Sequence, residues 1–258
     1  MALTDKRIIV TGASGGMGLE IVRHLVAGGA RVAAIDLREQ PGREAVEALN
    51  GTAPGSASFW TADLTDKAEV TATINAASAS LGGLDALVHA AGVVRVASPE
   101  ESTESIYDLI MDVNVRATVY ANQAVFEALK ANGGGSIVNF GSNAGHGPEP
   151  NAVIYSASKG AVHSWSRSLA HAWGRYNIRV NAVLPIIETP MFHQARAEMT
   201  EQQRADHDER NRRLIPLGGK FGDAARDLAP VIEFLVDEAS HFMTGQLIPV
   251  DGGLSSVR

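Results

Sequence analysis

Three residues near the middle of the chain have the types and spacing needed to move a proton to or from a substrate oxygen. Tyr155 and Lys159 are four residues apart, so on a helix they share one face. An ammonium near a phenol stabilises the phenolate, which predicts a pKa for Tyr155 below the ordinary value of about 10. Ser142, thirteen residues upstream, adds a hydroxyl that could hold an alcohol or carbonyl oxygen. A Tyr and a Lys at this spacing also occur by chance, so the surrounding elements must show whether this pair is catalytic.

A glycine-rich segment near the N-terminus has the context of a phosphate-binding loop. The apolar run at 7–11 predicts a buried strand, and the amphipathic run at 19–26 predicts a helix. A helix N-terminus presents free N–H groups and a positive dipole end to a pyrophosphate. A plain glycine turn is the alternative. We expect a dinucleotide to contact Gly12, Ser14, Gly15, Gly16, Met17 and Gly18.

Asp36 ends the second predicted strand, eighteen residues after Gly18. A carboxylate there can accept hydrogen bonds from the adenosine ribose and would repel a 2′-phosphate. Position 15 is Gly rather than a basic residue, whereas Arg38 could pair with a 2′-phosphate. These residues favour NAD over NADP as the cofactor. A helix-capping role for Asp36 is the alternative.

Strands alternate with helices along the whole chain. This pattern predicts an α/β fold: a Rossmann-like, doubly wound parallel sheet of about seven strands with helices on both faces, in one domain over 1–258. The helix predicted over 153–174 carries Tyr155 and Lys159. Residues 101–131 read as two helices meeting near Tyr107. The polar, charged segment 186–214 interrupts the alternation, and we expect it to form a lid over the substrate.

Composition excludes several classes of function. The chain has 258 residues, no cysteine and a net charge of −7, without a basic block that would favour nucleic acid. No apolar stretch reaches the roughly 18 residues of a membrane span. The N-terminus lacks the basic start and apolar run of a signal peptide, so we expect a cytoplasmic protein. The histidines show no metal-binding spacing, so we expect no metal.

With these motifs in hand, the chain resembles the short-chain dehydrogenase/reductase family, in its single-domain NAD(P)-dependent branch, over nearly its whole length. The matching features are the glycine loop, Asp63, the turn His89-Ala90-Ala91-Gly92, Asn114, and the group of Ser142, Tyr155 and Lys159. In the family the turn begins Asn-Asn, where this chain has His89 and Ala90. That difference changes local hydrogen bonding more than chemistry.

The resemblance implies roles for these residues. Tyr155 would be the general base in alcohol oxidation and the general acid in ketone reduction, and Lys159 would lower its pKa and hydrogen-bond the nicotinamide ribose. Ser142 would hold the substrate oxygen. Asn114 would keep a helix open so that a water links Lys159 to solvent. The implied cofactor contacts also include Asp63, Leu64, Ala90, Ala91, Gly92, Tyr155 and Lys159.

One loop departs from the family pattern. The segment Pro185-Ile186-Ile187-Glu188-Thr189 lacks the glycine that usually follows the proline, and it is one residue short. In the family this loop runs beside the nicotinamide, which implies cofactor contacts from Pro185, Ile187 and Thr189. Ile186 or Ile187 could offer a backbone N–H to the carboxamide.

The substrate walls should come from the loop after Ser142 and from the interrupting segment. The residues we expect to line them, with Ser142 and Tyr155, are Ala144, His146, Met191 and Phe192. Met191 and Phe192 could instead pack a helix on the domain, and His146 could simply face water. No basic cluster demands a phosphorylated or carrier-linked substrate.

The sequence therefore predicts an oxidoreductase that moves a hydride between NAD(H) and a small secondary alcohol or ketone, apolar or cyclic. A 3-oxoacyl-thioester reductase using NADPH is the alternative enzyme. A non-catalytic NAD-binding regulatory protein and a structural partner on the same fold are alternatives of other classes. The family resemblance also implies a homo-oligomer, usually a tetramer.

Overall fold

Short runs of apolar residues form one parallel sheet in the computed structural model, which describes residues 3–255 apart from the side chain of Met191. Neighbouring strands lie in the order third, second, first, fourth, fifth, sixth, seventh. This order confirms the predicted doubly wound, Rossmann-like sheet. The strands are β1 (Arg7–Thr11), β2 (Arg31–Asp36), β3 (Ser56–Thr61), β4 (Ala86–His89), β5 (Gly135–Phe140), β6 (Ile178–Pro185) and β7 (Leu247–Val250).

The helices cover both faces of the sheet. They are α1 (Gly16–Ala27), α2 (Glu39–Glu47), α3 (Lys67–Leu81), α4 (Glu104–Met111), α5 (Ala117–Ala131), α6 (Val153–Trp173), α7 (Pro190–Ala197), α8 (Glu201–Leu214) and α9 (Ala229–Val236). Apolar side chains of α1, α2 and α9 bury one face, and those of α3, α5 and α6 bury the other. Both faces of the sheet are therefore buried, as is usual for an all-parallel sheet.

The winding direction reverses at β1, which pairs with β2 on one side and with β4 on the other. In open parallel sheets, ligands bind beyond the carboxyl ends of the strands at this reversal point. The segments that follow β1, β4, β5 and β6 contain the glycine loop, the His89–Gly92 turn, Ser142 and the Pro185 loop. The fold therefore gathers most of the predicted site residues at one edge of the sheet.

The predicted junction of two helices near Tyr107 is wrong in position. α4 and α5 are joined by a wide π-helical turn over Asp112–Arg116. The backbone widens around Asn114, which is fully buried and whose side chain bonds to Val93 rather than facing solvent. A tertiary contact, not a local helix breaker, sets the junction.

The interrupting segment forms α7 and α8, joined by a short turn. Thr200 begins α8 with a capping box to Gln203, and Arg196 on α7 donates to Asp208 on α8 at 2.6 Å. Within residues 3–255, none of the helices has the length and apolar character required to cross a lipid bilayer. Over the same residues, no three His, Asp or Glu side chains converge in a way that could hold a metal ion.

Candidate active site

Helix α6 carries Tyr155 and Lys159 on one face, next to the carboxyl end of β5. Lys159 is 4% exposed, and its Nζ donates to the carbonyl oxygen of Phe140 at 2.7 Å. The same nitrogen lies 5.8 Å from the centre of the Tyr155 ring. The four-residue spacing does bring ammonium and phenol together, but the hydrogen bond of the ammonium goes to the backbone.

Ser142 follows β5 at the start of a 3-10 turn over Asn143–Gly145. Its hydroxyl oxygen accepts from the N–H of Ala144 at 3.2 Å, and the hydroxyl lies close enough to the Tyr155 phenol to lower the pKa of that phenol. A phenol beside a hydroxyl can hold one ligand oxygen between them and exchange a proton with it. The structure thus brings Ser142, which follows β5, next to Tyr155 and Lys159 on α6.

The acidity of the phenol differs from the sequence prediction. Burial raises the pKa of Tyr155 above its ordinary value of 10.0, and the hydrogen bond from Ser142 opposes that rise only in part. Burial also lowers the pKa of Lys159 to about 8. The predicted fall of the Tyr155 pKa below its ordinary value is wrong for this arrangement, because desolvation of the phenolate dominates and the Lys159 ammonium donates its hydrogen bond to Phe140.

Asn114 lies at the centre of the π-helical turn and joins two parts of the site. Its Oδ1 accepts from the N–H of Val93 at 2.8 Å, and its Nδ2 donates to the Val93 carbonyl and to Ser158 Oγ, at 2.9 and 3.0 Å. Ser158 precedes Lys159 on α6. The side chain therefore ties the segment after β4 to the helix that carries Tyr155. Its part in a proton path remains a prediction.

The glycine loop fits the pyrophosphate of a dinucleotide. Gly12 and Gly16 have positive φ angles, and a Cβ on Gly18 would lie 2.1 Å from the Gly12 carbonyl oxygen. Gly15 is the N-cap residue of α1, and no side chain accepts from the first N–H groups of this helix at that position. The buried hydroxyl of Ser14 has no hydrogen-bond partner in the described part of the chain. An uncapped helix N-terminus above a glycine cradle, with a spare hydroxyl beside it, is suited to an anionic phosphate group.

Asp36 is fixed beside this loop at the end of β2. Its Oδ2 accepts from the N–H of Ser14 at 3.1 Å, and its Oδ1 accepts from the N–H of Arg38 at 3.0 Å. The guanidinium of Arg38 is largely exposed and lies over Gly15, where a Cβ would be 3.4 Å from Nη2. Both charges considered in the sequence are therefore present at the adenosine end of the loop, where they form an ion pair with Arg38 Nε 3.6 Å from Asp36 Oδ1.

Three other predicted cofactor residues have structural contacts that can be described. Asp63 Oδ1 accepts from the N–H and hydroxyl of Thr65, at 2.8 and 2.7 Å, and so shapes the turn into α3. Leu64 is 9% exposed in the core under α3. Met17 is partly buried against the core on the α1 face. Their contacts with adenine or phosphate remain predictions.

His89, which stands where the family has asparagine, keeps a cross-strand hydrogen bond. Its Nδ1 lies 2.9 Å from Thr11 Oγ1, so the side chain still links β4 to β1. Burial and the charge of Lys159 lower the pKa of His89 to about 3, which keeps the ring neutral. Among the described residues its Nε2 has no partner.

The residues after His89 pack against the cofactor loop and the Lys159 site. A Cβ on Gly12 would lie 2.7 Å from the Ala91 nitrogen and 2.9 Å from the Ala90 carbonyl carbon. A Cβ on Gly92 would lie 3.4 Å from Lys159 Nζ. The turn therefore connects the predicted phosphate site to the predicted catalytic lysine.

The shortened loop after β6 follows a path that the sequence left open. The N–H of Ile186 donates to the Val250 carbonyl of β7 at 3.0 Å, so Ile186 is not the residue that offers a free N–H. Ile187 forms an isolated bridge to Gly222 and buries its side chain in the core. The Thr189 hydroxyl caps α7 by accepting from the N–H of Phe192 at 3.2 Å. Ile187 is left as the candidate backbone donor, and Pro185, paired with Val250, ends the strand.

Only some of the residues predicted to line the substrate pocket lie next to Ser142. Ala144 is half-buried in the turn beside it, and its carbonyl accepts from the Ser156 hydroxyl. His146 is exposed. The Phe192 ring packs against Phe221, with ring centres 4.9 Å apart, and against His193 and His207. Phe192 therefore helps to fasten α7 to its neighbours, the packing alternative noted above. The side chain of Met191 lies outside the described structure.

Sequence reasoning missed two features next to Ser142. The buried imidazole of His163 on α6 accepts a hydrogen bond from the Ser142 backbone N–H at 3.3 Å. The neighbouring Asn143 donates to the buried carboxylate of Asp251 at 3.0 Å, and Ser255 bonds to both side chains. The first could have been found from its four-residue spacing after Lys159. The second joins residues more than a hundred positions apart and has no local signal.

Comparison with known proteins identifies the family to which this arrangement belongs. The family model described as short chain dehydrogenase matches residues 6–200. The chain is a short-chain dehydrogenase/reductase. This family consists of oxidoreductases that bind nicotinamide cofactors, and the fold described above is that of this family.

Curated short-chain dehydrogenases resemble the chain over nearly its full length. The 2-(S)-hydroxypropyl-CoM dehydrogenase 3 of Xanthobacter autotrophicus is 34% identical, covering 99% of this chain and 98% of its own. The cyclopentanol dehydrogenase of a Comamonas species is 33% identical, covering 98% of both chains. The 3-oxoacyl-[acyl-carrier-protein] reductase of Thermotoga maritima is 32% identical, covering 98% and 99%. A solved short-chain dehydrogenase/reductase from Mycobacterium ulcerans superimposes with a TM-score of 0.91 at 28% identity, covering 98% and 91%.

Proposed function

We propose that this short-chain dehydrogenase/reductase interconverts a small secondary alcohol and its ketone with NAD(H), and that Tyr155 is the general acid and base. The observation that carries the proposal is the convergence of the Tyr155 phenol, the Ser142 hydroxyl and the buried Lys159 ammonium beyond the carboxyl end of β5. A regulatory protein that only binds the dinucleotide does not need a phenol and a serine hydroxyl side by side for proton transfer. The proximity of a half-buried phenol, a serine hydroxyl and a buried ammonium supports catalysis.

Each residue has a distinct task in the proposed reaction. The nicotinamide cofactor supplies or accepts the hydride. Tyr155 donates a proton to the ketone oxygen in reduction and removes it from the alcohol in oxidation. Ser142 hydrogen-bonds the same oxygen and stabilises the charge that develops on it. Lys159 donates a hydrogen bond to the Phe140 carbonyl at the end of β5, and its ammonium nitrogen lies 5.8 Å from the centre of the Tyr155 ring.

The Ser142 hydroxyl also adjusts the base. Because burial raises the pKa of Tyr155, the phenolate needed for alcohol oxidation is disfavoured in this pocket. The hydrogen bond from Ser142 is the contact that lowers this pKa. The serine therefore serves both the substrate oxygen and the acidity of the phenol.

Asp36 supports NAD as the cofactor. Its carboxylate is fixed by two backbone N–H donors beside the glycine loop, where the hydroxyls of an adenosine ribose would donate hydrogen bonds to it. An anionic 2′-phosphate at the same place would meet this fixed negative charge, and the exposed Arg38 would offset it only in part. Asp36→Asn should weaken NAD binding about 10-fold, because it removes a hydrogen bond to a charged group. The variant should also prefer NAD over NADP less strongly than wild type does.

The substrate proposal rests on the size of the groups around Ser142 and on the relatives. Two small residues flank the site: Ala144 lies beside Ser142, and Gly92 lies beside Lys159. The related cyclopentanol dehydrogenase is named for a small cyclic secondary alcohol. The related 3-oxoacyl reductase keeps a thioester reduction as the second candidate, which Asp36 disfavours if that reaction uses NADPH.

A cofactor titration combined with a substrate panel tests the proposal. NAD and NADP are each offered with cyclopentanol and acyclic secondary alcohols, NADH and NADPH are each offered with an acetoacetyl thioester, and wild type is compared with Tyr155→Phe. We expect NAD-dependent alcohol turnover in wild type, and in Tyr155→Phe tight NAD binding with turnover reduced at least about 100-fold. Preferential NADPH-dependent thioester reduction would transfer the assignment to the second candidate. NAD binding without turnover across the panel would favour the regulatory alternative.

We also propose that the protein is a homotetramer, as the family resemblance implies. Exposed apolar side chains on α4, Tyr107 and Leu109, and the 95% exposed Phe242 before β7 would be covered in such an assembly. The mass in solution from light scattering tests this. A monomer at working concentration would contradict it.

A further inference from the structure

A third residue on the catalytic face of α6 lies directly beneath Ser142. His163 follows Lys159 by four residues and Tyr155 by eight, so all three project from one side of the helix. The imidazole is 2% exposed. Its Nε2 accepts a hydrogen bond from the Ser142 backbone N–H at 3.3 Å. The helix that carries the phenol therefore also holds the backbone of the serine.

The imidazole is enclosed by the two glycines that bracket the serine turn. A Cβ on Gly141 would lie 2.5 Å from His163 Nε2, and one on Gly145 would lie 2.9 Å from Cε1. Both distances are shorter than side-chain carbons tolerate. At Gly145 the added Cβ would also lie 2.6 Å from the backbone of Lys159 and Gly160, so the serine turn packs against both the His163 ring and the α6 backbone.

The ring is in the protonation state that this bond requires. An Nε2 that accepts a hydrogen bond belongs to neutral imidazole with its proton on Nδ1. Burial, followed by the charges of Arg167, Lys159 and His146, lowers the pKa of His163 to about 4, and a backbone hydrogen bond with Gly145 opposes this. The acceptor is thus available at neutral and alkaline pH.

Helix α6 fixes the site at three successive points. Tyr155 supplies the phenol, Lys159 holds the carbonyl of Phe140, and His163 holds the N–H of Ser142 two residues further along. A rigid helix that binds both the strand end and the serine sets the distance from the Ser142 hydroxyl to the phenol. Small displacements of such groups cost large factors in rate.

We propose that His163 is a positioning residue that fixes the Ser142 hydroxyl against the Tyr155 phenol by accepting the Ser142 backbone N–H. The kinetic part of this inference rests on the proposed alcohol–ketone reaction. A measurement of Tyr155 acidity, which needs no substrate, separates its failure from failure of that reaction.

The first test uses single variants of His163. His163→Leu removes the acceptor, and His163→Gln keeps an oxygen at the ε position that can accept the same N–H. We expect kcat/KM to fall about 10- to 100-fold in His163→Leu, mainly through kcat, with partial recovery in His163→Gln and NAD affinity unchanged. His171→Leu, at an exposed histidine on the same helix, is the control and should match wild type. If the Gln variant is as impaired as a folded Leu variant, the inference is wrong.

The second test is a double-mutant cycle with Ser142→Ala. If His163 acts through the Ser142 hydroxyl, His163→Leu should cost less than about 3-fold in kcat/KM once that hydroxyl is gone. Undiminished loss in the Ser142→Ala background would mean that His163 serves general packing and would overturn the inference.

The substrate-free readout is the Tyr155 pKa, followed by carbon NMR of ring-labelled tyrosine and assigned with Tyr155→Phe. Ser142→Ala should raise this pKa, because the Ser142 hydrogen bond lowers it. His163→Leu should raise it in the same direction, and adding His163→Leu to Ser142→Ala should raise it no further. An unchanged Tyr155 pKa in both His163→Leu and His163→Gln would refute the positioning role whether or not a substrate has been found.

Discussion

Replacing Lys159 by methionine should lower activity without lowering stability, because burying the ammonium destabilises the fold. Lys159 is 4% exposed, and burial lowers its pKa from 10.5 to about 8. That difference corresponds to a cost of about 3 kcal/mol for the charged form. Methionine keeps the chain length and removes the charge, but it leaves the Phe140 carbonyl without its donor, a loss of about 1–3 kcal/mol. At neutral pH, Lys159→Met should therefore be as stable as wild type or up to about 2 kcal/mol more stable.

The pH dependence is the sharper part of this prediction. The folded-state pKa of Lys159 is below the unfolded one, so the unfolded chain binds more protons between about pH 8 and 10.5. The cost in wild type is complete below about pH 8 and is relieved as the pH rises. Urea unfolding should show wild type gaining about 2 kcal/mol relative to Lys159→Met between about pH 7 and pH 9.5.

The control and the activity assay complete this experiment. Lys220→Met, at an exposed lysine, accounts for the removal of one lysine charge. Turnover of Lys159→Met should fall at least about 100-fold despite its stability, as expected where a charged group is kept for function. A difference in unfolding free energy between wild type and Lys159→Met that is the same at both pH values would refute the reasoning.

Three further predictions follow from individual contacts. Gly18→Ala would place its Cβ 2.1 Å from a backbone oxygen of the glycine loop, so it should lose about 1–3 kcal/mol by thermal unfolding and weaken cofactor binding in a titration. Although burial raises it, the pKa of Asp85 is lowered to about 2 by its bonds to Arg7, so wild type should lose about 2 kcal/mol of stability relative to Asp85→Asn as the pH falls from about 4 to about 2. Ser142→Ala should shift the alkaline rise of residual alcohol oxidation to higher pH, because the Ser142 hydrogen bond lowers the Tyr155 pKa; an unshifted pH profile would contradict this.

Local patterns were sufficient to predict the fold and the gathering of the main site residues. The apolar run of β1, the glycines after it and the amphipathic α1 are contiguous in sequence, so periodicity alone identifies the unit. Tyr155 and Lys159 share a helix face for the same reason. The bounds predicted for strand β4 are confirmed, because its four buried apolar or uncharged residues are followed directly by a turn.

Features set by tertiary contacts were not predictable in this way. The π-helical turn forms because Asn114 bonds to Val93, twenty-one residues earlier. The Tyr155 pKa depends on burial and on the ammonium turning to Phe140, neither of which the spacing contains. The Ile186 N–H is taken by β7, which arrives from the other end of the chain. Spacing shows which residues can meet, whereas the direction of each hydrogen bond requires the assembled sheet.

The most direct test of the account is whether Tyr155-dependent hydride transfer occurs on this protein. A reduced nicotinamide cofactor carrying two deuterium atoms at C4 is incubated with the ketone that the substrate panel identifies, and the alcohol product is analysed by mass spectrometry. We predict one deuterium on the carbinol carbon with wild type, and no labelled product from Tyr155→Phe although that variant still binds the cofactor. Label transfer at equal rates by both proteins, or none from wild type across the ketones while the cofactor binds, would contradict the account.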